Sequence, residues 1–110
     1  MFKIEKDPRF WAEVKVAVPI DDGHAEHTFR ARYRVRPAEV VEQVDRFDAA
    51  MTVKDFLKET VIDLSDIQDG DGEPAAFSAE LLDTVLGHYG ARLALWNTYI
   101  AAVTKARVGN

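Results

Sequence analysis

A chain of 110 residues, 47% hydrophobic and 30% charged, has the size and composition of one folded domain and is too apolar for a disordered segment. It has no cysteine, which excludes a disulfide framework or a thiolate metal site, and no stretch approaches the ~20 apolar residues of a membrane span. A net charge of −5 argues against nucleic acid as a partner.

The opening residues, MFKIEKDPRFW, hold no apolar run like that of a signal peptide, so a cytoplasmic protein is expected. Charge is unevenly spread. Residues 1–36 carry eight Lys/Arg against six Asp/Glu, residues 37–85 three against thirteen, and residues 86–110 three against none. Such polarity can orient subunits or partners. With no repeat, low-complexity tract or linker in the chain, one domain is expected over residues 1–110.

From Trp11 to Val18 the pattern has period two. Ala12, Val14, Val16 and Val18 share one side of a strand, and Glu13 and Lys15 the other. Pro19 is expected to end it. Ile20 to Glu26 holds the turn pair Asp22-Gly23. A second strand is expected over His27–Arg36, with Phe29, Ala31, Tyr33 and Val35 on its apolar face and Arg30, Arg32, Arg34 and Arg36 on the other. Two alternating runs around a glycine-containing loop predict an antiparallel hairpin.

The period then changes. Pro37 suits the first turn of a helix, and Val40, Val41, Val44 and Phe47 mark its apolar face. Glu39, Glu42, Asp45 and Asp48 cover the rest, with Glu42 placed to pair with Arg46. Thr52 reads as the N-cap of a helix from Val53 to about Thr60 that buries Val53, Phe56 and Leu57. Val61, Ile62 and Leu64 suit a short strand but are too few to assign it. Asp66–Pro74 is a loop turning at Asp69-Gly70-Asp71-Gly72. Ser78 caps a helix presenting Leu81, Leu82, Val85 and Leu86, which Gly87 and Gly90 weaken or end. The last helix is expected from about Ala91 to Arg107. Leu93, Trp96, Ile100 and Val103 lie on one side of it, with Leu95, Tyr99, Ala102 and Ala106 beside them. The expected fold is therefore α+β: an N-terminal antiparallel hairpin or small sheet packed against about four helices, the C-terminal one long.

The residues do not assemble a catalytic centre. In the loop DIQDGDGE, an EF-hand frame begun at Asp69 puts Pro74 where glycine is needed, and one begun at Ser65 puts Ile67 where an acid is needed. His24 and His27 sit in turn and strand with no acidic partner at metal spacing, and His88 stands alone beside a glycine. Ser78 is accounted for as a cap, Ser65 lies in no nucleophile-elbow pattern, and no phosphate-binding glycine loop is present. No enzyme activity, cofactor or metal is expected.

Two features suit protein contact. The Arg30/Arg32/Arg34/Arg36 ladder places four guanidinium groups on one sheet face. They would either dock an acidic protein surface, or less favourably nucleic acid, or be covered by neighbouring acids such as Glu13. The last helix carries an apolar surface broader than the ~100° stripe one core face requires. It is either packed on two sides or partly an interface, with Trp96 and Tyr99 as anchors beside Ile100 and Val103.

Taken in order, these segments resemble the bacteriophage tail assembly chaperones, small proteins of long-tailed phages and prophages encoded just before the tape-measure protein. The resemblance covers most of the chain. Trp11-x-x-Val14-x-Val16 up to Pro19, an acidic-glycine turn and Phe29-Arg30-Ala31-Arg32-Tyr33 are similar to the family's opening hairpin. Asp69-Gly70-Asp71-Gly72-Glu73-Pro74, followed by Phe77-Ser78-Ala79-Glu80-Leu81-Leu82, resembles its loop and following helix. Tyr99-Ile100-Ala101-Ala102, Lys105-Ala106-Arg107 and Asn110 resemble its ending. A tryptophan that many relatives place before the acidic loop is replaced here by Leu64 and Ile67.

The resemblance implies a non-catalytic chaperone of the bacterial host cytoplasm, absent from the finished virion. It would bind the tape-measure protein while tail-tube subunits polymerise around it. It also implies a longer form, made by ribosomal frameshifting near Ala106–Asn110, whose extra domain recruits tail-tube protein. Many copies coating one partner would let weak contacts sum, and self-association would accompany this. The alternatives are another phage tail or head–tail structural component, and a small regulatory domain binding nucleic acid through the arginine ladder.

Overall fold

A computed structural model of the chain describes residues 1–45 and 51–104. The elements follow the order β1 (Arg9–Ile20), β2 (Gly23–Arg34), α1 (Ala38–Asp45), α2 (Val53–Thr60), β3 (Val61–Ser65), α3 (Ala79–Leu86) and α4 (Tyr89–Thr104). The fold is α+β, with a three-stranded antiparallel sheet in the order β1-β2-β3 and a long C-terminal helix.

The hairpin is longer than the apolar pattern predicts. Ile20 pairs with Gly23, so only Asp21 and Asp22 separate the strands. Pro19 does not end β1 but pairs with His24. The Val35 N–H donates to Pro8 O at 2.9 Å, and with this register the even-numbered residues of β1 bond to β2 by alternation. Pro19 therefore turns its missing donor toward the open edge, where proline is tolerated. Gly23 adopts a φ of +135°, which L side chains rarely take, so the tight turn requires glycine there. The second strand ends at Arg34, leaving Val35 and Arg36 outside it.

The short segment at Val61–Ser65 becomes a strand because β2 offers it a partner. Arg30 pairs with Ser65, Arg32 with Asp63 and Tyr33 with Val61, a register shift that skips Ile62. Val61 and Leu64, three apart, would otherwise point to opposite faces. The bulge turns both inward, where they are 3% and 4% exposed.

The helices cover one face of the sheet. Val14, Val16, Phe29, Ala31 and Tyr33 are buried beneath them together with Phe56, Leu57, Leu82, Leu86, Leu95 and Tyr99. Aromatic rings link the layers. Phe10 stacks on Tyr33 at 5.2 Å, Tyr33 lies 5.4 Å from Tyr99, and Phe56 meets Tyr99 and Trp96 edge-on at 5.3 Å each. The Tyr33 hydroxyl donates to Leu95 O at 2.9 Å, tying the sheet to α4.

The local cues for α2 and α3 agree with their positions. Thr52 Oγ1 accepts from the Asp55 N–H at 3.1 Å, and Ser78 Oγ from the Leu81 N–H at 3.0 Å. Ser78→Ala is expected to lower stability by about 1 kcal/mol, read as a lower urea midpoint with unchanged slope. An unchanged midpoint would show that the cap contributes nothing. Pro37 stands just before α1, its carbonyl accepting from the Val41 N–H at 3.3 Å. Arg46, Phe47 and Asp48, assigned to that helix from the sequence, lie outside the described residues, as do Lys105, Ala106, Arg107 and Asn110.

The last helix starts at Tyr89 rather than Ala91, so Gly90 lies in its first turn. A Cβ at Gly90 would sit 3.4 Å from Ala17 O, an ordinary van der Waals contact, so the helix passes close to β1 there without requiring glycine. Ala91, Leu95 and Tyr99 form the buried stripe. Ala94, Trp96 and Ile100 pack beside it at the edge of the core. Contacts to β1, α2 and α3 together explain why the apolar surface of α4 is so broad.

Candidate protein-contact surface

Strand alternation sends every second residue of the hairpin away from the helices. On β1 these include Arg9, Trp11, Glu13 and Lys15, and on β2 Arg30, Arg32 and Arg34. The register sets Arg9 opposite Arg34, Trp11 opposite Arg32 and Glu13 opposite Arg30, with Asp63 of β3 on the far side of Arg32. Five basic side chains thus share a face with Glu13 and Asp63, on a chain that is acidic overall.

Each arginine finds a different local solution. Arg30 places its guanidinium 5.2 Å from the centroid of the Trp11 ring, a cation–π contact across the strands. Arg9 pairs with Asp7 at 2.7 Å. That hydrogen bond holds the Asp7 carboxyl below its ordinary pKa, with Arg34 adding to the effect. Glu13 and Asp63 are neighbours in register, yet among the described residues neither forms an ion pair with Arg30 or Arg32. The Nε atoms of Arg32 and Arg34 are shielded from solvent and find no hydrogen-bond acceptor among the described residues. A shielded donor without an acceptor is unfavourable, whereas the rest of each half-buried guanidinium stays within reach of a carboxylate from outside.

Arg36, expected as the fourth rung of the ladder, is not part of it. Beyond the end of β2 it turns to α2, where Nη1 donates to Thr60 Oγ1 at 3.2 Å and lies 3.5 Å from Glu59 Oε1. Its backbone N–H donates to the Tyr99 hydroxyl at 2.9 Å, and its guanidinium lies 5.8 Å from the Phe56 centroid. A cation at the C-terminal end of α2 complements the helix dipole. Arg36 is a structural clamp between the end of β2, α2 and α4.

The aromatic residues expected as anchors on the last helix divide in the same way. Tyr99 is 0% exposed and belongs to the core, so it presents no contact surface. Trp96 is half-buried with its ring against Phe56, and Ile100 is half-buried beside it. Val103 is exposed, as are Leu93 and Tyr89 earlier on the helix. The aromatic of the basic face is instead Trp11. Its place was readable from the alternation, because Trp11 shares the parity of Glu13 and Lys15.

Elsewhere the polar clusters are structural. His24 and His27 are both on β2, three apart and hence on opposite faces, which keeps them from closing on one ion. Asp69 Oδ1 accepts from the N–H groups of Asp71 and Glu73 at 2.9 and 3.0 Å, and Gly72 completes the turn with φ +82°. Among the described residues no group of three or more His, Asp or Glu is placed to hold a metal ion. None of the helices among them is long and apolar enough to cross a membrane. Comparison with family models, curated proteins and solved structures found no match to this chain.

Proposed function

We propose that the chain is a non-catalytic protein-binding domain that acts as a phage tail assembly chaperone. It holds the tape-measure protein in the host cytoplasm while tail-tube protein assembles around it. The observation that supports this reading best is the outer sheet face, where Arg30, Arg32 and Arg34 surround Trp11. Such a face suits a carboxylate-rich helical partner, with arginine supplying bidentate contacts and tryptophan the apolar anchor. The resemblance in the order of segments supports the identity of that partner.

Co-expression tests the reading. The chain is expected to raise the yield of soluble tape-measure protein encoded beside it and to be retained with it on affinity capture. Arg30→Glu/Arg32→Glu is expected to weaken retention about tenfold or more while leaving the thermal midpoint near that of the parent chain. Retention unchanged by the double substitution would move the contact off this face. Recovery of the chain in purified virions would instead make it a structural tail component.

A further inference from the structure

One edge of β2 is only half covered. The third strand covers only Arg30–Tyr33 of β2, although β2 begins at Gly23. At Asp66, which takes the left-handed φ of 64°, the chain leaves the line of β3. By the alternation that directs odd-numbered β2 residues to β1, the N–H and C=O groups of His24, Glu26 and Thr28 face a position that no strand among the described residues takes up. Beside them the chain returns as the Gln68–Pro74 bridge, with the Ala75 N–H donating to Ile67 O at 2.8 Å. The result is a groove of about 800 Å³ lined by Thr28 and Phe29 of β2, by Leu64 of β3, and by Ile67, Ala75 and Phe77. A strand edge facing an apolar wall is the arrangement that accepts an added strand.

The same chain carries a segment suited to fill it. Residues 1–5 have no regular structure, and Met1, Phe2 and Ile4 are 123%, 88% and 85% exposed. In an extended segment Phe2 and Ile4 share one side and Lys3 and Glu5 the other. Six residues span about 20 Å, enough to pair along His24–Thr28. Charge agrees as well. Residues 1–6 bring Lys3 and Lys6 against one acid, Glu5, while Asp66 lines the groove and the turn between its lining residues Gln68 and Pro74 holds Asp69, Asp71 and Glu73, none of them in an ion pair among the described residues. The arm cannot reach the groove of its own copy. Arg9 lies opposite Arg34, six residues or about 20 Å along β2 from Thr28, and on the β1 side of the sheet. The residues before it would be used up in the crossing.

We infer that residues 1–6 of one copy add as a strand to the His24–Thr28 edge of a second copy, seating Phe2 and Ile4 in the groove beneath Phe29 and Phe77. Reciprocal exchange closes a two-fold dimer. This contact does not involve the arginine face and stands apart from the chaperone reading.

Sedimentation of the intact chain across a range of concentrations is expected to show a reversible monomer–dimer equilibrium. Phe2→Asp/Ile4→Asp, at positions that carry no core packing, is expected to remain monomeric with an unchanged thermal midpoint. A labelled peptide of residues 1–8 should bind that variant, and Lys3→Glu/Lys6→Glu in the peptide should weaken it about tenfold. A double variant that dimerises like the parent would place the contact on another surface and overturn the inference. So would an intact chain that stays monomeric and a peptide that does not bind, which would leave the groove to a foreign strand.

Discussion

Replacing Tyr99 with alanine should cost about 3–5 kcal/mol of stability, the range for removing a buried aromatic side chain. Domains of this size are stable by only about 5–15 kcal/mol, so the variant would sit near the limit of folding. The magnitude follows from where the ring sits. Tyr99 is fully buried and touches Phe10, Tyr33 and Phe56, so its loss opens a cavity between the sheet, α2 and α4 at once. Its hydroxyl also accepts the Arg36 N–H. Tyr99→Phe keeps the ring and removes only that acceptor, for a smaller loss of about 1–3 kcal/mol. Urea unfolding of the two variants separates packing from hydrogen bonding. Equal losses would mean that the ring contributes nothing beyond its hydroxyl.

Stability should also fall steeply in alkali. Burial raises the Tyr33 hydroxyl far above its ordinary value, and burial raises Tyr99 too, with the Arg36 contact partly offsetting it. In the unfolded chain tyrosine ionises near pH 10. The folded protein holds both hydroxyls neutral past that point, so the unfolded state releases protons first. Stability is therefore intact below about pH 10 and declines as pH rises toward the folded-state values, by up to about 1.4 kcal/mol per pH unit for each tyrosine. Tyr33→Phe, which removes the stronger of the two, should flatten the decline while costing stability at neutral pH through the lost bond to Leu95 O. Urea midpoints followed from about pH 8 to pH 12 measure both effects. A decline of equal slope in parent and Tyr33→Phe would show that Tyr33 is not the group responsible.

The arginine face and the arm-and-groove contact make different demands on the molecule. The first needs a partner bearing carboxylates and uses the exposed side of the sheet. The second needs only another copy of the chain and uses the uncovered edge of β2. Both can operate together, so a dimer formed by arm exchange would present two basic faces to one long partner. Linked sites of that kind hold more strongly than either alone when their spacing matches.

Much of the fold was legible from local chemistry. Alternation in Ala12–Val18 and Phe29–Val35 marks the hairpin and its buried face, because a strand repeats every two residues whatever lies around it. Thr52 and Ser78 mark helix starts because a side-chain oxygen satisfies N–H groups within its own turn. The arginines at 30, 32 and 34 share a face for the same reason as the valines opposite them. What the sequence could not decide depended on partners distant in the chain. Val61–Ser65 becomes a strand only because β2 has an edge to pair with, and its bulge is visible only in the register. Pro19 stays in a strand because that strand is an outer one. Arg36 leaves the ladder because Thr60, Glu59 and the Tyr99 hydroxyl await it beyond the strand end. Tyr99 is core because α4 lies against both the sheet and α2, and helical periodicity alone carries no information about what lies across from it.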